Sequence, residues 1–171
     1  MERYSQRKQL LRNKKGQIRD IAFVLITITS IAITMLVAGY LYSKIGDGFD
    51  DSGMHTNESK TAYTQIGTAF PLFDNSFIFI IMGLTIGLII SAFMIPSSPV
   101  YIAINIIGFL VLTFLGAVFS NLYGELIVQE GLNSSASTFP VVTYVMSRFP
   151  YLAAGLVLLL TIIMYSKSRQ Q

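Results

Sequence analysis

The chain has 171 residues, of which 53% are hydrophobic and 12% are charged. An ordinary soluble domain carries about 25% charged residues, so this composition argues against a soluble fold. The sequence contains no cysteine and a single histidine, His55, which excludes a disulfide framework, a thiol nucleophile and a histidine-rich metal site. The formal net charge is only +3, and its distribution along the chain is more informative than its size.

Residues 1–20 form a basic tail ahead of the first apolar run, with seven Lys and Arg residues. Such a tail fixes membrane orientation, binds anionic lipid at the cytoplasmic leaflet, or holds nucleic acid or an acidic protein surface. We favour orientation and lipid contact over nucleic acid. The candidate lipid- or partner-contacting residues are Arg7, Lys8, Arg12, Lys14, Lys15 and Arg19.

Four uncharged apolar runs predict transmembrane helices at about residues 21–43, 76–95, 99–123 and 149–166. At ~1.5 Å per residue, about 20 residues cover the roughly 30 Å of bilayer hydrocarbon. The two middle runs flank Pro96-Ser97-Ser98-Pro99, and two prolines so close together cannot continue one helix. The sequence therefore predicts an all-α integral membrane protein with a central helical hairpin, in which Pro99 begins the third span.

A polar loop is expected over residues 44–75, because Gly46, Gly48 and Gly53 favour flexible backbone in its first half. Asp74 and the two residues after it are candidate caps for the second span.

The second loop is expected over residues 124–148, with its part from Gly131 to Ser137 lacking regular structure. A short helix is predicted to start near Ser137 or Thr138, with Pro140 in its first turn. Its apolar residues, Phe139, Val142 and Val145, would be buried at the membrane interface.

The distribution of Lys and Arg predicts that both termini are cytoplasmic. Four spans place the termini on one side, and the two tails and the 96–99 turn together hold nine Lys and Arg residues. The two long loops hold three, and cytoplasmic segments are the ones enriched in these residues. The loops would then be external, where the sequons beginning at Asn57 and Asn133 leave glycosylation open.

No Asp, Glu, Lys, Arg or His lies inside the predicted spans, which disfavours proton relays, ion-coupled transport and voltage sensing. It also leaves no set of residues for a catalytic, metal or cofactor site.

Small and polar residues instead predict helix-packing faces, which would seal the hairpin internally or pair it with a second copy. Internal packing is favoured, because the tight turn already brings the two helices together. For Asn105 we favour an interhelical hydrogen bond over a pore or substrate contact. The residues of these faces are Gly83, Gly87 and Ser91 on the second span and Asn105, Gly108, Gly116 and Ser120 on the third.

Three short motifs carry a resemblance to known proteins: KKGQIRD before the first span, SAFMIPSSPV at the hairpin and FSNLYGEL after it. In the order of these motifs along the sequence, the chain resembles uncharacterised small four-span membrane proteins of archaea and of viruses or mobile elements that carry an internal membrane. The resemblance implies a non-enzymatic structural protein of a virion or mobile-element membrane that contacts capsid or assembly proteins. It carries over no functional residues.

Two other functions stay open. One is a holin-like or channel-forming oligomer, lined by Asn105, Thr113 and Ser120 or by polar residues of the first span. The other is an accessory subunit of a larger membrane complex. An enzyme is not expected, because the spans offer no acid, base, nucleophile or metal ligand set.

Overall fold

A computed structural model describes residues 16–53, 56–94 and 99–168, and the side chains of residues 19–53, 56–94 and 106–167. Helices occupy nearly all of these ranges, and no strand occurs in them. In chain order the helices are α1 (Gly16–Ser52), α2 (Asn57–Met94), α3 (Pro99–Ile127), α4 (Leu132–Thr138), α5 (Pro140–Ser147) and α6 (Phe149–Ser168).

Four of these helices, α1, α2, α3 and α6, are long and apolar enough to cross a membrane. This confirms the predicted all-α, four-span fold. The central hairpin is also present, because α2 ends at Met94 and α3 begins at Pro99. The turn itself, residues 95–98, lies outside the described residues.

The prediction of a loop at residues 44–75 is wrong, because most of that segment is helical. α1 has 37 residues and α2 has 38, about 55 Å each at ~1.5 Å per residue, well beyond the ~30 Å of bilayer hydrocarbon. α1 continues through Gly46 and Gly48, and α2 begins before Asp74, which therefore does not cap the second span. Packing between α1 and α2 overrides the low helix propensity of glycine in this segment.

The connection between α1 and α2 has clear stop and start signals. Gly53 follows α1 with φ of 63°, a left-handed conformation that glycine adopts without steric cost. Before α2, the Thr56 backbone N–H donates to Ser59 Oγ at 3.0 Å, and the Ser59 N–H donates to Thr56 Oγ1 at 3.2 Å. This reciprocal capping box starts α2 at Asn57.

The segment expected to be irregular from Gly131 to Ser137 is also mostly helical, since it contains α4. Gly131, with φ of 89°, supplies the sharp turn that precedes this helix. The short helix predicted with Pro140 in its first turn is present as α5, and Pro140 occupies its N-terminus. Phe139 and Val142 are buried as expected, whereas Val145 is partly exposed.

The chain divides into two compact units. Unit 1 comprises the described residues up to Thr27, Met82–Val118 and those from Phe149 onward. Among the described residues its core is apolar apart from the buried hydroxyl of Thr113, and α6 contributes half of the buried apolar side chains. The fully buried side chains include Ile21, Leu25, Leu112, Phe149, Ala153, Val157 and Leu160.

Unit 2 comprises Ile28–Ile81 and Phe119–Arg148. Its core differs in kind, because a carboxylate and two hydroxyl side chains are buried beside the apolar ones. The buried polar residues are Thr29, Asp74 and Ser135. A polar group removed from water requires a hydrogen-bond partner.

Candidate functional site in unit 2

Tyr42 on α1 and Tyr63 on α2 hold the two helices together through reciprocal hydrogen bonds. The Tyr42 hydroxyl donates to the Tyr63 carbonyl at 2.9 Å, and the Tyr63 hydroxyl donates to the Tyr42 carbonyl at 3.1 Å. The two rings stack with their centroids 4.1 Å apart and their planes 4° from parallel. We call this pair the tyrosine clasp.

Each tyrosine of the clasp fits because the facing helix carries a glycine. A Cβ at Gly46 would collide with the Tyr63 hydroxyl, and a Cβ at Gly67 would collide with the Tyr42 hydroxyl. In both helices the glycine lies four residues after the tyrosine, which puts the two on one face. The spacing Tyr-x-x-x-Gly is thus used twice, once from each side of an antiparallel contact.

An aromatic cluster extends from the clasp to the segment between α4 and α5. The Phe70 ring makes edge-to-face contacts with Tyr42 at 4.9 Å and with Phe139 at 5.4 Å. A Cβ at Gly39 would lie 2.9 Å from the Phe139 ring and 3.2 Å from Ser135 Cβ, so this glycine allows close packing on α1. These contacts fix the α4–α5 segment to both long helices.

Asp74, a residue of α2, caps the N-terminus of α5. Its Oδ2 accepts the Val141 backbone N–H and its Oδ1 accepts the Val142 backbone N–H, both at 2.9 Å. These N–H groups belong to the first turn of α5, where an unpaired donor is otherwise left and where a negative charge is favoured. The carboxylate is only 3% exposed, and it holds the short helix against α2.

A second polar link joins α3 to α5. The Tyr123 and Thr143 hydroxyl oxygens lie 3.1 Å apart, and Thr143 donates to the Ala136 carbonyl at 3.2 Å. The Tyr123 ring is buried. The α4–α5 segment is therefore held by polar contacts from α2 and α3 in addition to its apolar packing.

A cavity of about 230 Å³ lies among α1, α2 and α4. Aromatic rings and hydroxyl groups make up much of its lining, and none of the described residues that line it is charged. The Ser135 hydroxyl is buried and has no hydrogen-bond partner among the described residues. The lining residues with a ring or a hydroxyl group are Tyr42, Ser43, Tyr63, Phe70, Ser134, Ser135 and Thr138.

The small-residue face predicted on the second span is open along part of its length. Gly83 and Gly87 are exposed, and a Cβ at either position would meet no described atom within 4 Å. Within the described part of the structure, neither glycine therefore packs closely against another helix. Ser91 is partly buried, and its Oγ lies 3.5 Å from Asp20 Oδ2 on α1.

The small-residue face predicted on the third span packs on α6 rather than on α2 at the point where its contacts are described. A Cβ at Gly116 would lie 2.8 Å from Ala153 Cβ and 3.3 Å from Pro150 Cα. Gly108 is buried and Ser120 is partly buried. Asn105 belongs to α3, but its side chain lies outside the described part of the structure.

Of the basic-tail residues, only Arg19 lies within the described part, where it is exposed. The predicted contacts of Arg7, Lys8, Arg12, Lys14 and Lys15 lie outside it. At the other terminus Lys167 Nζ donates to the Phe93 carbonyl at 2.6 Å. A cation at the carbonyl end of α2 interacts favourably with the helix dipole, and this interaction stabilises the last turn before the hairpin.

The polar residues proposed as a channel lining have local partners in the first span. Thr27 donates to the Phe23 carbonyl and Thr34 donates to the Ser30 carbonyl, each at 2.8 Å and each within α1. Thr113 on α3 has a buried hydroxyl with no partner among the described residues. Within the same part of the chain, no three acidic, His or Cys residues lie close enough together to hold a metal ion.

No protein-family model matches the chain, and neither a curated protein nor a solved structure matches it.

The residues that organise unit 2 were largely missed by sequence reasoning. Asp74 is predicted only as a local cap, and no role is predicted for Tyr42 or Tyr63. The signal that could have revealed the clasp is the repeated Tyr-x-x-x-Gly spacing at residues 42–46 and 63–67. The Asp74 contact has no such signal, because its partners are backbone groups 67 and 68 residues away.

Proposed function

We propose that this chain is a non-enzymatic structural protein of a membrane, and that unit 2 is its docking surface for another protein. The observation that carries the proposal is the tyrosine clasp, which joins the end of the first predicted span, at Tyr42, to the part of α2 that precedes the second predicted span, at Tyr63. The Asp74 contact secures α5 in the same unit. Ordering these polar segments costs conformational entropy, and a rigid surface reduces the cost of binding a partner.

The contacting face is the polar side of the N-terminal half of α2. Six residues spaced three or four apart share this face and line an open groove of about 520 Å³. The groove residues are Asn57, Lys60, Thr61, Thr64, Gln65 and Thr68. Hydroxyl, amide and ammonium groups suit hydrogen bonding with a protein surface rather than contact with acyl chains.

The charge pattern supports an orientation for this surface. Nine of the twelve Lys and Arg residues lie in the tails and the turn, which favours both termini in the cytoplasm and the segments of unit 2 at residues 44–75 and 124–148 outside. The basic tail then contacts anionic lipid at the cytoplasmic leaflet. The resemblance stated above favours capsid or assembly proteins of a virion or mobile element as the partner.

A crosslinking experiment tests the docking surface, and the absence of native cysteine makes an introduced thiol unique. Thr64→Cys carries a thiol-reactive photo-crosslinker into the groove, and the matched control is Ile86→Cys, an exposed position on the apolar half of the same helix. In native membranes the expected result is one discrete protein adduct from position 64 and none from position 86. Equal yields at both positions would contradict a docking surface.

A leakage experiment separates this function from a channel. The hydroxyls of Thr27 and Thr34 already donate to carbonyls of their own helix, which supports a helix-packing role. Liposomes that contain the purified chain are therefore expected to retain an entrapped dye at the rate of protein-free liposomes. Strong leakage would overturn the structural function in favour of a holin-like or channel-forming oligomer.

A further inference from the structure

The cavity of unit 2 has an excess of hydrogen-bond acceptors over donors. A hydroxyl group has one proton to donate and two lone pairs that accept. The Tyr42 and Tyr63 protons are used within the clasp. The Ser134 proton goes to the Gly131 carbonyl at 2.9 Å, and the Thr138 proton goes to the Ser134 carbonyl at 3.4 Å. Four hydroxyl oxygens at the cavity therefore keep lone pairs while their protons are engaged.

A backbone carbonyl adds to this excess. Gly67 lines the cavity, and the residue four positions after it is Pro71, inside α2. Proline has no N–H group, so the Gly67 carbonyl lacks its usual helical donor. Ser135, which also lines the cavity, has a hydroxyl without a partner in the described structure and is 2% exposed. Buried groups of this kind are normally satisfied by a ligand or by water.

The rings and charges around the cavity favour a cation. Aromatic side chains at positions 42, 63 and 70 line it, and ring faces attract ammonium groups. Unit 2 carries seven Asp and Glu residues against three Lys and Arg residues, which makes its surroundings electronegative. The negative net charge of unit 2 disfavours an anion, and the Ser135 hydroxyl is one donor without a described acceptor against the four hydroxyl oxygens whose protons are engaged.

The size of the cavity limits the ligand. A volume of about 230 Å³ compares with a share of about 30 Å³ for each molecule in liquid water. A group of several heavy atoms fits, such as an ammonium with a short alkyl chain. Positions 39 and 42 lie at the end of the first predicted span, which places the cavity near headgroup depth, where aminolipids present such a group.

We propose that the cavity among α1, α2 and α4 binds a primary alkylammonium group, through its excess of hydroxyl and carbonyl acceptors and its aromatic lining. The same chemistry is found in the headgroup of phosphatidylethanolamine and in free ethanolamine. Choline lacks N–H donors and therefore serves as the discriminating probe. The site is independent of the docking surface, because it uses other residues of α2.

The first experiment titrates ethanolamine at neutral pH into the full chain in detergent, with saturation-transfer NMR as the readout. Saturable binding is expected, with choline weaker by threefold or more, as estimated from the ~0.5–1.5 kcal/mol of a hydrogen bond. Ser135→Ala and Thr138→Val should each weaken binding of ethanolamine by about threefold to tenfold. Ser135→Ala removes a hydroxyl without a known partner, so unit 2 is expected to keep its fold, as thermal unfolding will show.

Ser137→Ala is the matched control. Ser137 lies on the same helix, is exposed and donates to the Ser134 carbonyl at 2.6 Å, but it does not line the cavity. Its binding of ethanolamine should equal that of the parent chain. Equal losses in Ser137→Ala and Ser135→Ala, or equal binding of ethanolamine and choline, would overturn the site.

A second experiment identifies the source of the ammonium group. The chain is taken from nanodiscs with equal phosphatidylethanolamine and phosphatidylcholine, and the retained lipid is measured by native mass spectrometry. Preferential retention of phosphatidylethanolamine, reduced by Ser135→Ala, identifies a lipid ligand, whereas binding of free ethanolamine alone identifies a soluble amine. Without either result the cavity holds water only, and the proposal fails.

Discussion

Asp74 and Val142 are joined by a hydrogen bond of 2.9 Å between a buried carboxylate and a buried backbone N–H, although 68 residues separate them. The second oxygen of Asp74 accepts the neighbouring N–H of Val141. A carboxylate with only 3% exposure is stable because both of its oxygens are used and because it faces the N-terminus of α5. The position of α5 therefore depends on one side chain of α2.

Replacing Asp74 should destabilise unit 2 in a graded manner. Asp74→Ala leaves two N–H groups without an acceptor, at a cost of about 1–3 kcal/mol for each that stays buried. Asp74→Asn keeps one acceptor oxygen, so its unfolding temperature in detergent is expected between those of the parent and Asp74→Ala. Asp47→Ala is the control, because Asp47 is exposed and its ion pair with Lys44, at 3.7 Å, is worth little. An Asp74→Ala variant as stable as Asp47→Ala would show that the contact is unimportant.

Adding a methyl group to the clasp glycines should destabilise the chain, although alanine is the better helix former by about 1 kcal/mol. In Gly67→Ala the new Cβ meets the Tyr42 hydroxyl, and in Gly46→Ala it meets the Tyr63 hydroxyl. Gly48→Ala is the matched control on α1, since a Cβ there meets no described atom within 4 Å. Chemical denaturation should show losses for the first two variants and no loss, or a gain of up to ~1 kcal/mol, for the third.

The clasp also predicts a rescue. Tyr42→Phe alone loses one hydrogen bond, worth about 0.5–1.5 kcal/mol. Combined with Gly67→Ala it should cost less than the sum of the two single variants, because removal of the hydroxyl makes room for the methyl group. Strict additivity in this double-mutant cycle would mean that the two residues do not share a contact.

The four spans and the hairpin could be predicted from sequence because apolar length and two prolines determine them locally. Residues 44–75 were misassigned for the opposite reason, since three glycines and several acidic residues there disfavour a helix when each is considered alone. Gly46 lies in a helix because, without a Cβ, it leaves room for the Tyr63 ring of α2. This contact cannot be deduced from the composition of the segment. Likewise, Asp74 resembles a local cap in the sequence, and only the fold brings α5 to it.

The basic tail should lie closer to anionic than to neutral lipid. A spin label at Ser5→Cys reports its depth in nanodiscs of either composition, and each lysine near an anionic surface contributes about 1 kcal/mol. Lys14→Gln combined with Lys15→Gln should reduce the depth of the label in anionic nanodiscs and leave it unchanged in neutral ones. Equal depths for the parent and the variant in anionic nanodiscs would end the lipid-contact hypothesis.

Gly116 and Gly87 should respond differently to the same substitution, although both were expected to pack helices. Gly116→Ala places a methyl group 2.8 Å from Ala153 Cβ and 3.3 Å from Pro150 Cα, so α3 and α6 must separate and thermal stability in detergent should fall. Gly87→Ala adds its methyl group where no described atom lies within 4 Å, and the fold should be unaffected.

The oligomeric state of these two variants then tests whether the open face of α2 pairs with a second copy. Self-association, measured by energy transfer between labelled chains in liposomes, should weaken in Gly87→Ala if that face is the contact, because small residues permit close helix approach. Gly116 is covered by α6 within the same chain, so Gly116→Ala should lower stability without a selective effect on self-association. Unchanged self-association in Gly87→Ala would mean that lipid, rather than a second copy, covers this face of α2.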